Sequence, residues 1–492
     1  MPRPVAILLS SLVFTALLLS PAMAQEQPVS APAGQQAEPD MQDQSTQDQG
    51  AQEQDAVDQA EPESVDDDAD AIAATDDPEA TESASSKVPL AEIKRYVFVY
   101  NAIREAYVDP VDDKRLMSSA IRGLLLDLDP HSAYLQKEDA DAFDEDTNGA
   151  YDGIGVEVQQ REDGTVLVIA PIDDTPAARA GVRAGDLIVA VDGKPLTPAS
   201  SAGQGPLRGK AGSSVMLTIV REGQAKPLKI SVKRETIRIA SVRSRMLEPS
   251  YGYIRISAFQ SDSAADFEKS VKALQAQSAG KLKGLVIDLR SNPGGLLTSS
   301  VQIADDLLES GRIVSTRGRD SVNDATYAAT PGDLMQGGPV AMLVDAGSAS
   351  ASEVLAGALR DNKRARIIGS RTFGKGSVQT VLPLENGDSV KLTTARYYTP
   401  SGKSIQARGI DPDVVLKPDN GDDAHADYTE AMLPGHLAGD EEEAGSNAGD
   451  VLDGDGPINA ALAELKKMRS ADNAAMPARA TGGTENAATP LK

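Results

Sequence analysis

No cysteine and no tryptophan occur in these 492 residues, histidine occurs three times, and aromatic residues make up only 3% of the chain. The missing thiols exclude disulfides, thiolate metal sites, a cysteine nucleophile and a lipid-modified cysteine at a processing junction. Stability must therefore come from core packing. Two of the histidines, His425 and His436, lie in an acidic C-terminal stretch, and His131 lies in an Asp129-Pro130-His131-Ser132 turn. No pair has metal-ligand spacing, and a Ser-His-Asp triad would need one of them to reach a core from a distant segment. Neither a metal nor another cofactor is expected.

Long apolar runs are also lacking. Val5 to Leu19 falls short of the ~20 residues that a membrane span needs. With Arg3 before it and Pro21 and Ala22-Met23-Ala24 after it, the run reads as a signal peptide over 1–24, an uncleaved anchor being the alternative. An exported protein, periplasmic or associated with the cell envelope, is expected. The net charge is −26, but it is unevenly placed. Gln25 to Ser86 holds 18 acids and no Lys or Arg, and Pro418 to Lys492 carries a net −10, which leaves the rest near +2. A nearly neutral folded part without clustered basic residues is no nucleic-acid surface.

Residues 25–87 hold almost no large apolar side chains and read as a disordered acidic linker. Over 88–149, Ile93, Val97, Tyr100 and Tyr107 recur at helical spacing, and Leu116 to Leu126 reads as a second helix. Residues 150–235 alternate short β-rich runs with Gly turns. Strands and helices then alternate over 236–417, with buried strands at Leu285 to Leu289 and Val340 to Val344 and a hairpin turn at Glu385 to Asp388. Residues 418–492 read as an acidic, mostly disordered tail with one helix at Ile458 to Met468. The fold class is α/β, in an α+β multidomain arrangement.

Gly153-Ile154-Gly155-Val156, the run from Pro176 to Ile188 and Val191-Asp192-Gly193 together resemble PDZ domains. Small residues let successive N–H groups converge on a carboxylate, while strand addition supplies main-chain hydrogen bonds. Gly153, Ile154, Gly155 and Val156 are the expected holders of a substrate C-terminus, a simple packing turn being the alternative.

Asp345 to Glu353 joins a buried strand to an Ala-rich helix and contains Ser348, Ser350 and Ser352. A serine at such a junction is exposed beside the free N–H groups of a helix start, which favour an oxyanion. One serine suffices as a cap. With histidine so scarce, the base open to such a serine is a lysine made neutral by burial. Lys375, in Thr372-Phe373-Gly374-Lys375-Gly376-Ser377-Val378-Gln379, is one candidate, although a lysine between glycines is more often a surface residue.

Asp288 to Leu297, the serine-rich run and Thr372 to Gln379 together resemble the carboxyl-terminal processing peptidases, the tail-specific proteases. Tyr397 to Gly402, Gly409 to Asp413, Leu128 to Ser132 and the PDZ-like run extend the likeness over roughly Val88 to Val415. The resemblance implies a crotonase/ClpP-like protease core with an inserted PDZ-like domain and an N-terminal helical arm. It implies Ser350 as nucleophile with Ser348 and Ser352 in support, Lys375 as base, Gln379 orienting Lys375, and an oxyanion hole from Ala351 with Gly294 or Gly295. Implied partners are protein substrates with exposed, apolar C-termini, a second copy of the chain, and an adaptor protein. The rivals are a catalytically inactive PDZ scaffold and, less compatible with a signal peptide, a crotonase-type acyl-CoA enzyme.

Overall fold

The computed structural model describes residues 89–198, 205–319, 324–418, 429–440 and 449–475; the expected signal peptide and acidic linker lie outside them. Two helices, Leu90–Ala106 and Asp113–Leu126, lead the described chain, the second capped by Asp112, whose side chain accepts from Arg115 N. Strand Ala133–Leu135 and helix Lys137–Asn148 follow.

A β-ribbon, Ala150–Gly153 against Glu235–Arg238, brackets the next unit. Within it lies a six-stranded antiparallel sheet, five strands in the order Val156–Gln160, Val166–Pro171, Leu187–Val191, Ser214–Val220 and Leu228–Lys233, with the short Lys194–Pro195 paired to Leu187–Val191. Alternation orients them: Val215, Leu217 and Ile219 of one strand point inward with Ile188, Val168 and Val232, and polar residues face out. Helix Pro176–Arg179 closes the core through the buried Ala177. Strand Val156–Gln160 stands at the edge of this sheet, so one side of its backbone is open to another strand.

The largest core surrounds a six-stranded sheet in the order Val242–Glu248, Tyr251–Ile256, Gly284–Asp288, Val340–Val344, Ala365–Gly369 and Val414–Val415, parallel from the second strand onward. Gly284–Asp288 and Val340–Val344 are buried at every position because both faces are covered. Helices Ser263–Gln277, Leu297–Asp305 and Ala351–Asp361 supply Phe267, Ile303 and Leu355 to one face. On the other face Ile458, Ala461, Leu462 and Leu465 of helix Gly456–Ala475 pack on Tyr251, Val286, Leu343 and Ile368. A second sheet pairs Ser389–Tyr398 with Ala133–Leu135, Ser377–Pro383 and Arg312–Gly318, which also pairs with Ala325–Ala328.

The expected disordered tail needs correction. Residues 429–440 and 449–475 are folded onto the core, and the last helix is longer than Ile458 to Met468. Arg290, held by the buried Asp288 carboxylate, donates to the Leu452 and Gly454 carbonyls and anchors that return. A composition dominated by Gly, Ala and Asp concealed these anchors, because their partners lie more than a hundred residues away.

Candidate active site

Ser350 sits where strand Val340–Val344 gives way to helix Ala351–Asp361, with φ 54° and ψ −114°. A non-glycine residue at positive φ costs on the order of 1–3 kcal/mol, and such strain collects at sharp strand-to-helix turns that expose a nucleophile. Its neighbours are spent on structure. Ser348 Oγ donates to the Leu289 carbonyl at 2.8 Å, and Ser352 Oγ donates to the Asn292 carbonyl at 3.0 Å. Ser350 Oγ donates to no acceptor among the described residues. The middle serine alone keeps its proton unspent.

Glu353, in the first turn of the helix and fully buried, organises the site. Its Oε2 accepts from Ser350 N at 2.8 Å and Lys375 N at 2.9 Å; its Oε1 accepts from Gly374 N at 2.7 Å and Thr372 Oγ1 at 2.5 Å. One carboxylate oxygen thus ties the backbones of the candidate nucleophile and base together. Burial pushes the Glu353 carboxyl up to about 7, against the pull of these four donors. The Lys375 loop is fixed on every side: Phe373 N donates to Ser348 O, Gly376 N to Gln406 Oε1, and Gly374 O accepts from Ala407 N.

The Lys375 side chain is partly buried and has no hydrogen-bond or ion-pair partner among the described residues. Burial holds its pKa below the usual lysine value, and the Lys391 cation pushes the same way. The Glu430, Glu353 and Asp129 carboxylates act in the opposite sense. No hydrogen bond joins Ser350 Oγ to Lys375 Nζ here; the shared anchor is Glu353. Gln379 departs from expectation. Its amide nitrogen donates to Ser377 Oγ at 3.0 Å and Thr393 Oγ1 at 3.2 Å, not to Lys375, because strand pairing sets Gln379 opposite Thr393.

Gly294 lies against the nucleophile and Gly295 against Phe259. A Cβ on Gly294 would stand 2.8 Å from Ala349 O and 2.9 Å from Ser350 Cβ, and one on Gly295 2.2 Å from Phe259 O, both at positive φ. Only glycine fits. The two amides differ in a way the sequence left open: Gly294 N–H donates to Asn292 Oδ1 at 2.9 Å and is spent within its own turn, whereas Gly295 N–H has no acceptor among the described residues. Ala351 N–H, at the helix start, is likewise free. Asn292 holds this turn: Nδ2 donates to Ile256 O, and its carbonyl accepts from Ala349 N.

In the smaller sheet domain Gly153, Ile154, Gly155 and Val156 line a cavity of about 330 Å³ closed by Leu207 and Arg208. The Ile154 and Gly155 carbonyls are used by Ala177 N and Ile172 N. Their N–H groups have no acceptor among the described residues. The loop therefore offers two amides beside an open strand edge.

Sequence reasoning missed Glu353, Asn292, Asp129 and Glu430. Glu353 was legible as the fourth residue of a Ser-x-x-Glu helix start. Nothing local marked Glu430, which is fully buried by long-range packing.

Residues 250–416 match the model of peptidase family S41, residues 153–232 a PDZ domain, and residues 35–139 the N-terminal domain of the activating protease CtpB. The chain is 42% identical over 383 residues to the carboxy-terminal-processing protease of Bartonella bacilliformis, covering 77% of this chain and 88% of that one. It is 36% identical over 328 residues to the carboxy-terminal processing protease CtpB of Bacillus subtilis, covering 65% and 66%. A solved photosystem II D1 C-terminal processing protease is 33% identical and covers 66% of this chain and 93% of its own, with a TM-score of 0.39. The family models and the Bartonella relative bear out the expected family and the expected α/β organisation of a peptidase core with a PDZ domain. The chain belongs to the carboxy-terminal-processing proteases, serine-type peptidases of family S41.

Proposed function

We propose that this serine peptidase is an exported endopeptidase that captures the free C-terminus of a protein in its PDZ domain and cleaves with a Ser350/Lys375 dyad. The observation that carries the dyad is Glu353, whose single Oε2 accepts from the backbone N–H groups of both Ser350 and Lys375. Export rests on the N-terminal pattern; among the described residues no helix is long and apolar enough to cross a membrane.

Neutral Lys375 takes the Ser350 proton as Oγ attacks the scissile carbonyl. The N–H groups of Ala351 and Gly295 receive the oxyanion, aided by the positive end of helix Ala351–Asp361. Protonated Lys375 then gives its proton to the leaving amine, and water releases the acyl group from Ser350 by the reverse use of the same base. At the PDZ cavity the Ile154 and Gly155 amides take a terminal carboxylate, and the edge Val156–Gln160 pairs with the residues before it. Self-association belongs to the same reading. Helix Leu90–Ala106 has no buried residue, and Phe98 on it is 74% exposed.

The test uses an unfolded substrate ending in apolar residues, compared with the same substrate amidated at its C-terminus. The free form is expected to be cleaved faster, and Ser350→Ala to abolish cleavage while still binding the C-terminal peptide. Undiminished cleavage by Ser350→Ala contradicts the dyad. Binding without cleavage by the unaltered protein supports the scaffold alternative instead.

A further inference from the structure

The Asp129-Pro130-His131-Ser132 turn lies some 240 residues before Lys375 in sequence, and two hydrogen-bond routes lead from it to the Lys375 loop. Along the first, His131 Nε2 stands 3.0 and 2.8 Å from the two carboxylate oxygens of Glu430. Glu430 Oε1 also accepts from Gln406 Nε2 at 2.8 Å, and Gln406 Oε1 accepts from Gly376 N at 2.9 Å. A carboxylate facing an amide N–H and an imidazole nitrogen accepts from both, which puts the His131 proton on Nε2. Along the second, Asp129 accepts from His131 N, Ser132 N, Ser132 Oγ and Thr393 Oγ1, and Thr393 Oγ1 accepts from Gln379 Nε2. The routes end on Gly376 and Gln379, one and four residues past Lys375.

The middle of the first route is closed to solvent. The side chain of Glu430 is 1% exposed and that of His131 16%. Glu430 also donates its backbone N–H to the Phe373 carbonyl, and Gln406 Nε2 donates to the Leu437 carbonyl. The segment 429–440 is therefore stitched to the loop directly at Phe373 and, through Gln406, at Gly376, on both sides of Lys375. Buried charge-assisted bonds of this kind are worth more than neutral ones, and removing one partner leaves the other unpaid.

We propose that His131 is a positioning residue for Lys375, acting through Glu430 and Gln406 on the Gly376 amide. The inference rests on the reading of Lys375 as general base. It gives the Asp-Pro-His-Ser turn and the returning 429–440 segment one role: together they hold the base loop at a fixed distance from helix Ala351–Asp361, whose Glu353 holds it from the other side. The charges around Lys375 are Glu353 from that helix, Asp129 from the turn, Lys391 from strand Ser389–Tyr398 and Glu430 from the 429–440 segment. Glu430 raises the lysine's proton affinity, so losing its charge makes Lys375 easier to deprotonate.

The test measures kcat and KM against pH for the full chain and for His131→Ala, His131→Gln, Glu430→Gln and Lys375→Ala, with peptide binding to the PDZ domain and thermal melting as controls. His131→Ala is expected to lower kcat by roughly ten- to a hundredfold with KM within about twofold, the loss of one charge-assisted bond. His131→Gln, which still presents an N–H to Glu430, is expected to recover most of that loss. Glu430→Gln is expected to lower the plateau and move the acidic limb to lower pH, a displacement that general loosening does not produce. An unchanged kcat in His131→Ala overturns the proposal. So does equal loss in His131→Ala and His131→Gln with a fall in melting temperature, which marks a packing role; if His131→Ala does not fold, the His131→Gln and Glu430→Gln profiles decide. Full activity in Lys375→Ala overturns the dyad itself, whereas an inactive Lys375→Ala beside a fully active His131→Ala overturns only the positioning role.

Discussion

Replacing Glu353 by glutamine takes the charge from the tether between nucleophile and base and leaves one of its four donors without an acceptor, while keeping its shape. The carboxylate accepts four hydrogen bonds, two on each oxygen. A glutamine amide offers one oxygen, so its NH2 must face either the Ser350 and Lys375 N–H groups or the Gly374 N–H and the Thr372 hydroxyl. Only the hydroxyl can turn away. At least one buried backbone donor is orphaned, at about 1–3 kcal/mol, and the charge-assisted character of the other bonds is lost. A cost of about 2–4 kcal/mol corresponds to a Tm drop on the order of 5–15 °C for a domain of this size. The pH dependence sharpens the test. A carboxyl raised from 4.5 to about 7 by burial contributes its full stability below 4.5 and loses it as pH rises through about 7. The Tm gap between the unaltered protein and Glu353→Gln should therefore narrow from pH 5 to pH 9. Scanning calorimetry measures the gap, and turnover of a peptide substrate should fall on the order of a hundredfold as the loop carrying Lys375 loses its bond at Gly374 and the remaining bonds lose their charge. Unchanged Tm and turnover would refute the tether.

Turnover of the unaltered protein should rise with pH through a lysine pKa that lies below the usual 10.5, because the base must be neutral to act. Lys391→Met removes a cation that favours neutral Lys375, so the acidic limb of kcat/KM should move to higher pH. Gly295→Ala sets a methyl group against Phe259 O and should abolish activity, with the PDZ domain still binding peptide. Ending the chain before Gly456 strips Ile458, Leu462 and Leu465 from the sheet, at roughly 1.5–3 kcal/mol each, and limited proteolysis should find the core opened. If the first helix mediates self-association, Phe98→Asp should shift light-scattering mass to that of a single chain.

The strands and helices of the core were legible because each carries its own period. Gly284–Asp288 and Val340–Val344 are continuous apolar runs, and Asn386-Gly387 turns the hairpin between Ser377–Pro383 and Ser389–Tyr398. Ser350 was legible as a candidate from its strand-to-helix context, while Lys375 stood out only through the family resemblance. What stayed hidden was built by distance in sequence. Glu430 sits in an acidic stretch and becomes a core residue only when His131 and Gln406 close over it. Gln379 was expected beside Lys375 from the family resemblance, whereas strand register sets it opposite Thr393, whose Oγ1 accepts from its amide. The choice between Gly294 and Gly295 turned on one side chain, Asn292, whose Oδ1 takes the Gly294 amide.

The central claim is that Ser350 is made nucleophilic by Lys375. Its most direct test is the rate of covalent modification by a fluorophosphonate as a function of pH, with the labelled peptide identified by mass spectrometry. One labelled residue is expected, Ser350, at a rate that rises through the depressed lysine pKa and collapses in Lys375→Ala. Labelling at another serine, or an unchanged rate in Lys375→Ala, would contradict it.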